Sequence, residues 1–280
     1  MKKFTKLLFL LISIAAFSQS PWTQEKGKIY SQLSFTTIPS YDAIFSDSNQ
    51  NLFGTYSDNT VQFYGEYGLS HKTSLLVNLP LKLISVKDFE DPSIDCVGDC
   101  SRDYNSFTLG NISLGLKHNF YKKDWLLSAQ VLLEANTSNY DAVSGIRTGY
   151  DAWSLTPLFL AGRGSGKTYI QAFLGADIRS NGYSSNFKIG GEVGRKITKN
   201  IWLIGFLDIS KSLENGDVIL PIQHSLTGLY VNNQEYGSFG FKGIAEFTDK
   251  FGITAGFGGA FFGNNVAKQA ALTFGIYRKF

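Results

Sequence analysis

Residues Ala161 to Ile170 read AGRGSGKTYI, and the Gly166-Lys167-Thr168 inside this run is the sharpest hint of chemistry in the chain. The run satisfies a loose phosphate-loop pattern, with Ala161 where the stricter form has Gly. Such a loop cradles nucleotide phosphates on backbone N–H groups while its Lys reaches the terminal phosphates. That chemistry needs a helix after the loop, because the helix N-terminus supplies the free N–H groups. Here both flanks alternate instead. Trp153, Leu155, Pro157, Phe159 and Ala161 occupy every second position before the loop, and Ile170, Ala172, Leu174, Ala176 and Ile178 do so after it. Period 2 marks a strand, so the run reads as a Gly- and Ser-rich hairpin turn, and no nucleotide is expected as a ligand.

Two further groups of residues invite a chemical reading. Cys96 and Cys100, in DCVGDC, are the only cysteines. In an exported chain this pair reads as a local disulfide. Metal binding would need more ligands, and His71, His118 and His224 are scattered over other turns and loops, so neither metal nor cofactor is expected. His224 and Ser225 are adjacent, but neighbours on an extended chain point apart and no third orienting group follows them. No enzyme is expected. The second group is ionic. Hairpin register across Ser180–Ser184 would set Asp177 opposite Lys188, and register across Ile197–Asn200 would set Lys188 beside Asp208. A cluster of Asp177, Lys188 and Asp208 is expected, with Arg179 and Glu192 near it. Its charges either neutralise one another and stiffen a wall, or form a polar constriction that contacts a solute.

The elements that must carry these residues are strands. Leu75, Val77, Leu79, Leu81 and Leu83 oppose Ser74, Asn78 and Lys82, and Phe251, Ile253, Ala255 and Phe257 oppose Gly252, Thr254 and Gly256. Alternation continues over stretches longer than the ~5–6 residues of an ordinary strand and matches the ~10 that cross a bilayer at a tilt. Links alternate in length as well. Short ones fall near Leu69–Lys72, Tyr121–Asp124, Gly162–Lys167, Ile197–Asn200 and Thr248–Lys250. Long ones fall near Pro39–Asp58, Ser85–Tyr104, Thr137–Tyr150 and Ser212–Gln234. Short turns on one side and long loops on the other characterise transmembrane barrels.

The start of the chain agrees. Lys2, Lys3 and Lys6 precede an apolar run from Leu7 to Phe17, and Ala16-Phe17-Ser18 offers a cleavage site, so residues 1–18 read as a secretory signal peptide. Three of the 26 Lys+Arg lie there, which leaves the remainder balanced against 23 Asp+Glu and removes the charge argument for nucleic-acid binding. Aromatic residues make up 15% and charged residues only 18% of the chain, below the roughly 25% charged residues of ordinary soluble domains. Residues 19–280 are therefore expected to form one transmembrane antiparallel β-barrel of about twelve strands, or alternatively fourteen. Both termini are expected in the periplasm of a Gram-negative cell. The last strand, AALTFGIYRKF, alternates and ends on Phe280, as a signal for the barrel-insertion machinery would. Outer faces meet lipid, while Leu76, Ile84, Leu160, Phe173, Trp202 and Phe206 fall inside by parity. A water-filled porin has a polar interior. This one suits a packed plug or a path for hydrophobic small molecules.

Three segments, YGLSHKTSLLVNLP (Tyr67–Pro80), LGNISLGLKHNF (Leu109–Phe120) and TGLYVNNQEYGSFGFK (Thr227–Lys242), carry a resemblance. Together they resemble the outer-membrane "meta-pathway of phenol degradation" proteins, within the broader fatty-acid-transporter-like barrels, in a Bacteroidetes-type style. Asn111 follows Gly110 where the family pattern has Asp. The resemblance implies passive passage of hydrophobic or aromatic small molecules. The alternative is a structural or assembly-partner barrel whose external loops bind another protein or a surface polymer.

Overall fold

The computed structural model describes residues 19–46, 51–91, 98 and 100–280; the expected signal peptide, residues 1–18, and Cys96 of the expected disulfide lie outside the described residues. Among the described residues fourteen strands follow in chain order, beginning with β1 (Ile29–Phe45), β2 (Asn51–Gly68), β3 (Thr73–Phe89), β4 (Arg102–Leu109), β5 (Ser113–Lys122), β6 (Leu126–Glu134) and β7 (Ser154–Ser165). The second half holds β8 (Thr168–Arg179), β9 (Asn186–Lys196), β10 (Ile201–Ser212), β11 (Glu235–Thr248), β12 (Phe251–Asn264), β13 (Val266–Ala267) and β14 (Ala271–Lys279). One short helix, α1 (Ile222–Ser225), sits between β10 and β11.

All neighbours are antiparallel, and the sheet closes because β1 pairs with β2 on one edge and with β14 on the other. The wall has twelve staves. β4 and β5 pair with successive parts of β3, so they are two halves of one stave interrupted at Gly110–Ile112. β13 is a two-residue continuation at the rim that pairs with Ile44 and Phe45. Closure leaves no free edge through the short-turn half of the barrel, where β5 bridges β3 and β6, while β4 pairs with β3 alone.

Pleating sorts the side chains into two environments. Outward positions such as Leu114, Leu116, Ile170, Leu174, Phe257 and Phe274 remain exposed, as a lipid-facing surface should be. Inward positions such as Leu76, Leu160, Lys117, Gln130 and Ile204 are buried. The run Arg163–Ile170 is a hairpin: Ser165 pairs with Thr168, and Gly166 takes φ 57° at the tip of the two-residue turn. A positive φ at the first central position is what a tight hairpin of this kind asks of Gly.

The expected long link Pro39–Asp58 needs correction. β1 runs on to Phe45 and β2 begins at Asn51, so most of that segment is wall. Pro39 is tolerated because the β1–β2 register shifts between Ile38 and Tyr41, at an irregularity where its missing N–H costs no ladder bond.

Candidate functional site

The chain itself occupies part of the lumen at both ends. At the long-loop end, residues 144–150 and 224–234 turn inward. Ile146, Leu226 and Leu229 join Tyr41, Ile44, Tyr56, Ile84, Val86 and Phe89 of the upper wall in one buried apolar cluster. Polar contacts lock the same loops. The Asn111 side-chain amide donates to Glu134 Oε1 at 3.1 Å and to the Tyr150 carbonyl at 2.8 Å, and its oxygen accepts from Ser138 N at 3.1 Å. Gly110–Ile112 interrupts its stave for this reason, since the break frees Asn111 to hold the loop. Between the two loops, Tyr140 OH lies 2.6 Å from His224 Nδ1, and the Arg147 guanidinium sits 4.0 Å from the Tyr140 ring centre. Burial and the Arg147 charge hold the His224 imidazole below its ordinary pKa.

At the short-turn end, the segment before β1 crosses the mouth. Ser128 Oγ donates to the Pro21 carbonyl at 2.6 Å, and Lys117 Nζ donates to the Ser20 carbonyl at 3.1 Å. Lys117 is fully buried and paired with Glu66 at 3.0 Å. The Trp22 ring packs edge-on against Tyr169 at 5.9 Å.

Between plug and floor lie two chambers. The lower one, about 520 Å³, is lined by two aromatic walls. On one side Tyr30 stacks on Tyr277 at 5.7 Å and meets Tyr64 at 6.2 Å. On the other, Tyr169 packs on Trp202 at 5.7 Å. Polar side chains, Gln32, Ser34, Gln171, Glu192 and Lys242 among them, stand between the rings. Lys242 forms an ion pair with Glu192, Tyr169 OH donates to the same carboxylate at 2.7 Å, and Thr254 Oγ1 is buried with no hydrogen-bond partner. The upper chamber, about 270 Å³, is flanked by two ionic groups. Lys82 donates to Asp58 at 2.8 Å on the β2–β3 side. Facing this pair, Thr156 donates to Asp177 at 2.6 Å, and Arg179 and Lys188 lie 3.4 and 3.2 Å from its other oxygen. Thr36 and Gln62 line both chambers and so mark the neck between them.

The five residues expected to cluster divide into separate groups. Asp177, Arg179 and Lys188 come together, but not by the expected register: Asp177 pairs with Asn186, and Lys188 stands opposite Gly175. The contact is diagonal, within reach of a long Lys side chain. Asp208 faces Gly190 rather than Lys188, and no ion pair among the described residues joins it to the three. Glu192 stands opposite Gln171, well down the wall from Asp177, and belongs with Lys242 in the lower chamber. The floor segment and the inward loops escaped sequence reasoning. Trp22 beside Pro21 just ahead of the first strand is the one local sign of the floor.

The barrel's relatives are found through its fold. No protein-family model matches the sequence, and no curated protein matches it. Among solved structures, the chain is similar to an outer membrane channel from Pseudomonas putida F1. The match has a TM-score of 0.67 and 16% identity and covers 92% of this chain and 97% of that one. It is also similar to the translocator domain of the autotransporter NalP from Neisseria meningitidis, with a TM-score of 0.50, 12% identity, and coverage of 92% and 90%. The KdgM porin matches with a TM-score of 0.50, 6% identity, and coverage of 89% and 99%. The fold is that of the outer-membrane β-barrels.

Proposed function

We propose that the protein is a passive channel of the Gram-negative outer membrane for small hydrophobic or aromatic compounds, with its short turns and both termini in the periplasm. The aromatic-walled lower chamber carries this reading. An aromatic solute entering it exchanges water for the faces and edges of Tyr, Trp and Phe rings, each such pairing worth about 0.5–1.5 kcal/mol beyond the area it buries. The polar groups between the rings then orient a hydroxyl or carboxylate. Movement is downhill and uses no cofactor, metal or nucleotide, and the wall performs no enzymatic step. The structural similarity to an outer membrane channel and the sequence resemblance to the phenol-degradation barrels both support the reading.

Liposome swelling with aromatic acids, set against sugars of similar mass, tests it. Faster entry of the aromatic acids is expected. A barrel impermeable to every solute yet co-purifying with a partner protein or a surface polymer would move the assignment to the structural or assembly reading.

A further inference from the structure

The neck between the chambers has an uneven construction. On β10, β11, β12 and β14 four inward residues stand side by side in register: Phe206, Gly240, Gly258 and Ala271. One large ring is followed by the smallest side chains available. A Cβ on Gly240 would come within 2.6 Å of Phe206 Cζ, and one on Gly258 within 2.7 Å of the same atom. The Phe206 ring therefore lies sideways along the wall, across two strands, in the space their missing side chains leave. A Gly inside a strand marks such close approach, and covering it with an aromatic ring from a neighbour shields the exposed backbone. Lys242 Nζ lies 5.2 Å from the ring centre on the next inward position and limits its swing in that direction.

Position gives the arrangement its consequence. The lower chamber's lining ends at Phe206, Ser238 and Gly258, and the upper chamber's begins with Ser210, Tyr236 and Ala260. Phe206 thus stands at the neck, across from Thr36 and Gln62. Folded flat, the ring leaves the passage open. Lifted from its seat, it has only the lumen to enter, since the wall behind it is backbone.

From this geometry we infer that Phe206, seated on Gly240 and Gly258, sets the width of the passage and thereby the size of solute that moves between the chambers. The inference deepens the channel reading and rests on it. It makes opposite predictions for two small changes. Gly258→Ala puts a methyl under the ring tip and raises it into the neck, narrowing the bore. Phe206→Ala removes the ring and widens it. The two positions act as one unit, so the effect of Gly258→Ala must vanish once the ring is gone.

The test uses the full-length protein in planar bilayers and in liposomes, with potassium chloride conductance and benzoate influx read for each variant. Gly258→Ala is expected to lower both several-fold, Phe206→Ala to raise both, and the double variant to match Phe206→Ala. If Gly258→Ala does not insert as a folded barrel, Phe206→Trp enlarges the ring without touching the seat and is expected to lower both readings. Equal effects of Gly258→Ala with and without the Phe206 ring would overturn the inference, as would unchanged conductance in Phe206→Ala and Phe206→Trp. A wild-type barrel that conducts potassium chloride but admits no benzoate refutes the aromatic-solute reading alone, and conductance still decides the neck. One that conducts nothing refutes both.

Discussion

The two ends of the lumen are closed by different physics. The long-loop end is narrowed by an apolar core to which three distant stretches contribute: β1–β3, the loop around Ile146 and the loop around Leu229, with Ile44, Ile146 and Leu229 each at or below 3% exposure. The short-turn end is crossed by one extended segment, hung by its Ser20 and Pro21 carbonyls from Lys117 and Ser128. A packed apolar cluster resists piecemeal opening, because removing any member leaves the others facing a void. Hydrogen bonds to main-chain carbonyls can be exchanged one at a time for water, contributing about 0.5–1.5 kcal/mol net for the Ser128 hydroxyl and about 1.5–3 kcal/mol for the charged Lys117. The contrast teaches which end yields. The plug is the more firmly held of the two, and the floor is the end expected to yield first to a solute.

That comparison can be broken at either end. Leu229→Ala should have the largest effect, costing about 2–5 kcal/mol of plug stability. Hydrogen exchange over residues 213–234 should accelerate strongly, and exchange that stays at wild-type rates would show that the loops are not anchored by this core. Ser128→Ala removes one donor from the floor and should weaken its attachment by about 1 kcal/mol. A red shift of Trp22 emission, measured with Trp125, Trp153 and Trp202 replaced by Phe, reports the release. No shift would place the floor's anchorage elsewhere. Acid should have the smallest effect, and only at the plug. Burial and Arg147 lower the His224 pKa in the closed plug from its ordinary 6.5, so a released imidazole binds protons more readily than a closed one. The contribution is constant above that ordinary value and is lost as pH falls below it, so exchange in the loop joining β10 and β11 should quicken mildly on acidification. His224→Gln should abolish that pH dependence.

Much of the wall was legible in the sequence and little of what fills it. Alternation at Phe251–Phe261 or Trp125–Ala135 reports the pleat directly, because side-chain direction in a strand is a local property. The hairpin at Gly166 was legible for the same reason, its flanking periods excluding a helix. The inward course of Ile146 and Leu229 was not, since their partners lie on β1–β3, far away in sequence, and no local pattern separates a loop that folds in from one that folds out. Residues near Tyr41 read as loop because Pro39 and an irregular register hide the period there. The ionic cluster was half legible. Pairing Asp177 with Lys188 needs only neighbouring strands, but placing Glu192 and Asp208 needs the true registers, which the 180–185 connection and the Ile197–Asn200 turn each set two residues away from the simplest pairing.

The central claim is that an aromatic solute occupies the lower chamber on its way along the lumen. It is tested most directly by a structure of the protein determined with saturating benzyl alcohol. The account predicts solute density between the Tyr30–Tyr277 stack and the Tyr169–Trp202 pair, on the floor side of Phe206. Solute found only along the lipid-facing residues, with the chamber holding water alone, would contradict it.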